Sequence, residues 1–217
     1  MVVTEQKATL NEVRLNEAFR EAMRRFATTV SIISCSDEEG RLHGMSATAV
    51  ASVCVEPPTL LICINNSTAT HGALSRRGRF CVNILRSFHS ELSHVFSGKM
   101  RGDDRFRLGN WDRAADGLPF LADAQANLFC HVDRTLDYET HTLFLGRVYA
   151  TRTEEQVDAL LYQNGKYSIA YPVPDGRDYS VTNVATKSPA FGESAGNGVS
   201  LGGNYEGTQS ERRCSKR

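Results

Sequence analysis

The sequence is short of what marks a nucleic-acid-binding, secreted or membrane protein. Its 25 lysines and arginines are cancelled by 25 acidic residues, so the 217-residue chain has no formal net charge. The pI is near 7.0, well below the value above about 9 that accompanies a basic nucleic-acid footprint. No apolar run approaches the roughly 18 residues a membrane helix needs. The start, Met1-Val2-Val3-Thr4-Glu5-Gln6-Lys7, lacks the basic and apolar segments of a secretory signal. The expectation is a cytoplasmic protein with no nucleic-acid and no membrane partner. The cysteines (Cys35, Cys54, Cys63, Cys81, Cys130, Cys214) form no C-x-x-C pair and no zinc-finger spacing. Five sit in β-branched, apolar segments such as Leu61-Ile62-Cys63-Ile64, which reads as buried reduced thiols rather than a disulfide framework.

Familiar catalytic equipment is missing too. There is no G-x-G-x-x-G after a strand, no G-x-x-x-x-G-K-[ST], no H-E-x-x-H and no G-x-S-x-G. The histidines (His43, His71, His89, His94, His131, His141) are scattered, and no metal site is expected. Dinucleotide binding on a Rossmann fold, phosphoryl transfer, zinc chemistry and serine hydrolysis all lose their usual residues.

What is present falls into three regions. Residues 1–12 are polar and loose. Residues 13–172 carry nearly all the large apolar side chains. From Pro172-Val173-Pro174-Asp175-Gly176 the chain turns rich in glycine and serine, so 173–217 reads as a disordered or loosely packed tail. The middle region opens with Phe19, Met23 and Phe26 at helical spacing, with arginines outward. Strands are expected at 29–35, through Met45 to Val53, at 60–64 and at 80–85. A hairpin is expected from 128–136 and 142–149. Short helices fit 70–77 and Ser90 to Phe96, stopped at Gly98. Many short strands with few helices predict a mainly β fold with flanking helices, a barrel rather than alternating βαβ units.

Two segments concentrate hydroxyls. In Gly44-Met45-Ser46-Ala47-Thr48-Ala49-Val50-Ala51-Ser52-Val53, alternation places Ser46, Thr48, Val50 and Ser52 on one strand face. Asn65-Asn66-Ser67-Thr68-Ala69-Thr70-His71 follows a strand and opens a helix, where hydroxyls and free amides suit an anion such as phosphate. Ordinary helix capping by Ser67 or Thr68 explains the same residues. Lys99, Arg101, Arg105 and Arg107 form a basic run that reads as a solvated face or as a pyrophosphate contact. Phe106 and Trp111 read as core.

The order of the motifs is more specific than any one of them. Phe19-Arg20-x-Ala22-Met23-x-x-Phe26-Ala27-Thr28 is followed by His43-Gly44-Met45-Ser46-Ala47-Thr48-Ala49-x-x-Ser52-Val53. Then come Glu56-Pro57-Pro58-x-Leu60-Leu61, Phe80-x-Val82-Asn83-Ile84-Leu85, Gly117-Leu118-Pro119, His141-Thr142-Leu143-Phe144-Leu145-Gly146 and Asn164-Gly165-Lys166-Tyr167. From about Phe19 to Tyr171 the chain resembles the flavin reductase-like family with the FMN-binding split β-barrel. It is similar in particular to the NAD(P)H:flavin reductase components of two-component flavin-dependent monooxygenases.

The resemblance implies hydride transfer from NADH, or NADPH, to FMN or FAD, with reduced flavin passed to a separate oxygenase. It also implies a homodimer with the flavin near the interface. It places Ser46, Ala47, Thr48, Ala49, Val50, Ser52 and Val53 along the flavin ring edge. Ser67 and Thr68 fall on the phosphate side, and Ser97, Gly98 and Lys99 on another flavin-side segment. His141 and Tyr167 become nicotinamide-side residues. The family's Gly-Asp-His motif reads Glu139-Thr140-His141 here, which keeps an alternative open: a flavin-binding electron-transfer or carrier protein without a nicotinamide site. A barrel for another phosphorylated cofactor, pyridoxal phosphate, or for haem, is a third reading.

Overall fold

A computed structural model describes residues 10–99 and 102–171. The first nine residues, Met100, Arg101 and the proposed C-terminal tail lie outside the described residues. Helix α1 (Leu10–Met23) carries Glu12 in its first turn and Arg20 in its last, charges that complement the helix dipole. It begins within the segment read from sequence as loose. Its apolar side chains are not buried: Phe19 is 62% and Phe26 61% exposed. They line a groove between α1 and the turn at Gln163–Gly165. The helical spacing correctly marks one face, but nothing among the described residues covers it.

Twelve strands follow in chain order with two more helices. They are β1 (Thr28–Thr29), β2 (Ser31–Ser36), β3 (Leu42–Ala47), β4 (Val50–Val55), β5 (Pro58–Asn65), α2 (Ala69–Arg77) and β6 (Arg79–Ile84). Helix α3 (Ser90–His94) widens into a π-type turn at Val95–Lys99, and a 3₁₀ turn spans Asp103–Arg107. Then come β7 (Trp111–Arg113), β8 (Pro119–Leu121), β9 (Ala126–Tyr138), β10 (His141–Thr153), β11 (Leu160–Gln163) and β12 (Lys166–Ile169).

The main sheet has seven strands in the order β3-β2-β6-β9-β10-β5-β4, and its neighbouring strands pair antiparallel. Its two edges, β3 and β4, are joined by Thr48 and Ala49 alone. Two linking residues reach no more than about 11 Å, so the edges must meet there and the sheet rolls into a barrel. Cys63 N–H donates to Ala49 O at the junction. The single strand expected through Met45 to Val53 is therefore two strands on opposite edges. Ser46 and Ser52 do not share a strand face. Alternation alone could not reveal the break, because no glycine or proline marks it.

The barrel interior is filled by Ile33, Ile62, Ile64, Phe80, Val82, Phe129 and Phe144. Gly146, on β10 beside a register shift, lies under the Phe80 ring, and a Cβ there would come within 2.8 Å of Phe80 Cε1. A second cluster packs Leu92, Val95, Phe96 and Phe106 beneath α3 and its extension, with Trp111 half-buried against it. Phe96 and Phe106 meet edge to face at 5.0 Å, and Phe106 and Trp111 at 4.7 Å.

Cys35, Cys81 and Cys130 are buried free thiols, and burial pushes Cys35 and Cys130 up to about 12. Cys54 departs from the expectation. It is exposed because β4 pairs only with β5 and leaves its other edge open.

Below the second cluster, His89 is 6% exposed. Its Nδ1 accepts the Arg86 amide, and its Nε2 lies 3.5 Å from Asp123 Oδ2. Burial lowers its pKa more than Asp123 raises it. A depressed histidine pKa means the unfolded chain takes the proton first as pH falls. Stability is therefore expected to decline as pH drops below about 6.5. His89→Gln should flatten that decline in a melting-temperature series. The buried carboxylate Asp37, held low by its hydrogen bond to His43, would act only at more acidic pH.

Candidate flavin site

Beside the β3 edge lies a cleft of two chambers. One, of about 520 Å³, is walled by Gly44–Ser46, Ser67–Thr70, Phe96–Gly98, Gly102 and Arg105. The other, of about 320 Å³, is walled by Val30, Ser46–Thr48, Ser93, His94, Ser97, Tyr162 and Tyr167. Ser46 and Ser97 belong to both walls and join the chambers. Gly44 is required at the back, where an added Cβ would lie 3.0 Å from Phe96 Cε1 and 3.1 Å from Ile33 O.

The larger chamber has the character of an anion site. Helix α2 opens there, capped by Thr68, whose Oγ1 accepts the His71 amide at 3.1 Å. The amides of Ala69 and Thr70 precede the first intrahelical acceptor and sit in the chamber wall. Facing them is Arg105, half-buried, with Nε enclosed and without any hydrogen-bond partner in the described structure. No ion pair is formed by Arg105 among the described residues. Burial pushes its pKa down, opposed by the nearby Asp103, and its guanidinium lies 5.3 Å from the Phe96 ring centroid. Arginine keeps its charge under such conditions, so a half-buried cation lines the chamber. The 3₁₀ turn at Asp103–Arg107, which follows Gly102 at φ 76°, carries this arginine to the cleft while Arg107 turns outward to Asp104.

The hydroxyls behave differently from the sequence expectation. Each carries one proton, and four of the six predicted ones spend it inside the protein. Ser67 Oγ donates to Asn65 Oδ1 and Thr68 Oγ1 to Asn65 O. Ser46 Oγ and Ser97 Oγ both donate to Ser93 O, each at 2.7 Å. Toward the cleft they present lone pairs. Arg105 and the first amides of α2 are left as the candidate anion donors of the chamber. The capping expected of Thr68 is present.

Of the residues expected from the resemblance, Ser46, Ala47, Thr48, Ser67, Thr68, Ser97, Gly98 and Tyr167 line the cleft. Gly98, at φ 107°, allows the turn to leave α3, and Lys99 ends that turn. Ala49 contributes its carbonyl to the barrel junction. Val50, Ser52 and Val53 lie on β4, outside both chambers, with Ser52 and Val53 exposed. His141 opens β10 opposite Asn65, its Nδ1 2.9 Å from Thr140 Oγ1, and lines neither chamber. The preceding Glu139 adopts φ 49°, a conformation that the family's glycine would take without a cost of about 1 kcal/mol.

Sequence reasoning missed Ser93, His94 and Tyr162. Ser93 is 1% exposed, and its only sequence signal is a spacing of four residues from Ser97 along the α3 extension. Next to the cleft, His71 Nε2 lies 2.9 Å from Thr142 Oγ1, which lies 2.7 Å from Asp137 Oδ1. That chain ties the first turn of α2 to β9 and β10.

A rolled antiparallel sheet thus carries at its edge a cleft walled by an arginine, the first amides of a helix and a row of hydroxyls. The chain belongs to the flavin reductase like domain family, whose model matches residues 23–170. It is 42% identical over 159 residues to the reductase component of the FADH(2)-dependent resorcinol hydroxylase of a Rhizobium strain, covering 73% of this chain and 89% of that one. It is 39% identical over 150 residues to an FMN reductase (NADH), RutF 1, of Methylorubrum extorquens, covering 69% and 74%. The solved structure of the flavin reductase PheA2 superposes with a TM-score of 0.66 at 32% identity, covering 72% of this chain and 99% of that one.

Proposed function

We propose that the protein is an NADH-dependent flavin reductase that supplies reduced FMN or FAD to a separate monooxygenase. The observation that carries the reading is Arg105, an unpaired, half-buried guanidinium facing the first amides of α2 in a cleft at the barrel edge. Arg105 and these amides hold the flavin phosphate, or the pyrophosphate of FAD. Thr68 and Asn65 fix the amides by ordering the turn before α2. Bound flavin supplies the hydride acceptor. The chain's own task is then to hold the ring beside the nicotinamide, and no carboxylate lines either chamber among the described residues. The Ser46–Thr48 segment borders the ring, and His141 is the nicotinamide-side candidate.

The reading extends to a homodimer. Phe19, Met23 and Phe26 on and after α1, and Val53 and Val55 on β4, are exposed in the single chain, which is how a self-complementary interface looks before it closes. Free buried thiols fit a reducing, cytoplasmic setting. No helix among the described residues is long and apolar enough to cross a membrane.

Purified full-length protein is expected to oxidise NADH when FMN or FAD is added, followed by the loss of NADH absorbance. His141→Ala should raise the KM for NADH more than that for flavin. Absence of NADH oxidation with both flavins would refute the reading. A flavin that copurifies tightly without NADH oxidation would instead favour the electron-carrier alternative.

A further inference from the structure

Tyr167 stands in a segment that the family resemblance associates with nicotinamide, yet its phenol is occupied. Tyr167 Oη donates to Ser93 Oγ at 2.9 Å. Ser93 Oγ lies 3.3 Å from Ser46 Oγ, and Ser93 O takes the protons of Ser46 and Ser97. With one proton per hydroxyl, the consistent arrangement runs in one direction: Tyr167 to Ser93 Oγ, Ser93 Oγ to Ser46 Oγ, Ser46 Oγ to Ser93 O. Ser93 is buried, and a buried hydroxyl left unpaired is costly. His94 packs edge-on against the Tyr167 ring at 4.9 Å and Tyr162 at 5.4 Å, which holds the phenol in place.

We infer that Tyr167 is a positioning residue for the flavin, not a nicotinamide contact: acting through Ser93 Oγ, it holds Ser46 as an acceptor beside Ser97, whose own proton goes to Ser93 O, and the two read the flavin's ribityl hydroxyls. The inference rests on the flavin reading above and adds which part of the flavin these residues recognise. A ribityl chain carries several O–H donors between ring and phosphate. Ser46 and Ser97 stand at the seam between the two chambers, one of which contains Arg105. The cleft thereby divides by chemistry, with cationic and amide donors at one end and hydroxyl acceptors at the seam. A phosphate oxygen, which only accepts, is unsuited to the seam; a sugar-alcohol hydroxyl suits it.

Three substrates separate the subsites. Lumiflavin has the ring alone, riboflavin adds the ribityl chain and FMN adds phosphate. Ser97→Ala and Tyr167→Phe are expected to raise the KM for riboflavin and FMN about tenfold, the loss of one or two hydrogen bonds. The KM for lumiflavin and that for NADH should stay unchanged. Tyr167→Phe keeps the ring and its packing, and Ser97→Ala is solvent-exposed, so folding can be checked by circular dichroism in both. A rise in NADH KM for Tyr167→Phe, or an equal effect on lumiflavin and riboflavin, would overturn the inference while leaving flavin reductase activity intact. Absence of NADH oxidation with every flavin, wild type included, would instead defeat the functional reading itself.

Discussion

Replacing Arg105 by methionine is expected to raise the KM for FMN on the order of a hundredfold, because a charge-assisted phosphate contact in a partly desolvated site is worth several kcal/mol. Riboflavin, which has no phosphate, should be reduced by the variant as well as by the wild type. Methionine retains much of the aliphatic stem that packs against Phe96. It also removes an enclosed Nε that has no partner in the described structure. The unliganded variant should therefore be at least as stable as the wild type, by up to about 1 kcal/mol or a few degrees in Tm. Opposite signs for binding and stability are the signature of a group held strained for a ligand. Thermal melts with and without FMN, together with KM values for FMN and riboflavin, measure both. Equal loss with the two flavins, or a less stable apoprotein, would show that Arg105 serves the fold instead.

The second large effect is structural. Asn83 on β6 is fully buried. Its Nδ2 donates to Ile32 O at 2.8 Å and to Ser34 Oγ at 2.9 Å. Its Oδ1 accepts the Leu121 amide at 2.8 Å and Asn127 Nδ2 at 3.0 Å. One side chain thus ties β2, β6, β8 and β9 together. Ser34 passes its own proton to Pro119 O, so every proton of Asn83 and Ser34 is placed. Asn83→Ala would leave the Leu121 amide, the Ile32 carbonyl and Asn127 without that partner, in a space too small for easy hydration. The expected cost is about 3–5 kcal/mol, seen as a fall in Tm of roughly 10 °C and an earlier urea midpoint. Asn127 Nδ2 would keep its bond to Leu121 O, so the loss falls on the Leu121 amide and the contacts to β2. A loss under about 1 kcal/mol would mean that water or a neighbour replaces the network.

Much of this architecture was legible along the chain. The hairpin of β9 and β10 shows in two long runs separated by Asp137-Tyr138-Glu139-Thr140. Helix α2 shows in Thr68 before it and Gly78 after it, the latter at φ 65°, because capping is local chemistry. The apolar face of α1 was legible as a face, though its partner was not. The break at Thr48–Ala49 was hidden, since it is demanded by closure between β3 and β4 and by nothing in those two residues. The capped helix start was legible at Ser67-Thr68. Where the cleft hydroxyls send their protons was not, because those protons are assigned by acceptors such as Ser93 O that lie 47 residues away from Ser46.

By itself the amino-acid sequence determined a neutral, mainly β chain, and its ordered motifs pointed to the flavin reductase-like barrel; these depend on composition, periodicity and near neighbours. Only the tertiary structure decided that Arg105 lines the cleft without an ion pair among the described residues, while Arg107 pairs with Asp104. It alone decided that Ser46, Ser67, Thr68 and Ser97 donate their protons within the protein and turn lone pairs to the cleft. Charge pairing, burial and the direction of a hydrogen bond are properties of groups brought together from distant strands, and they come into being only when the sheet closes.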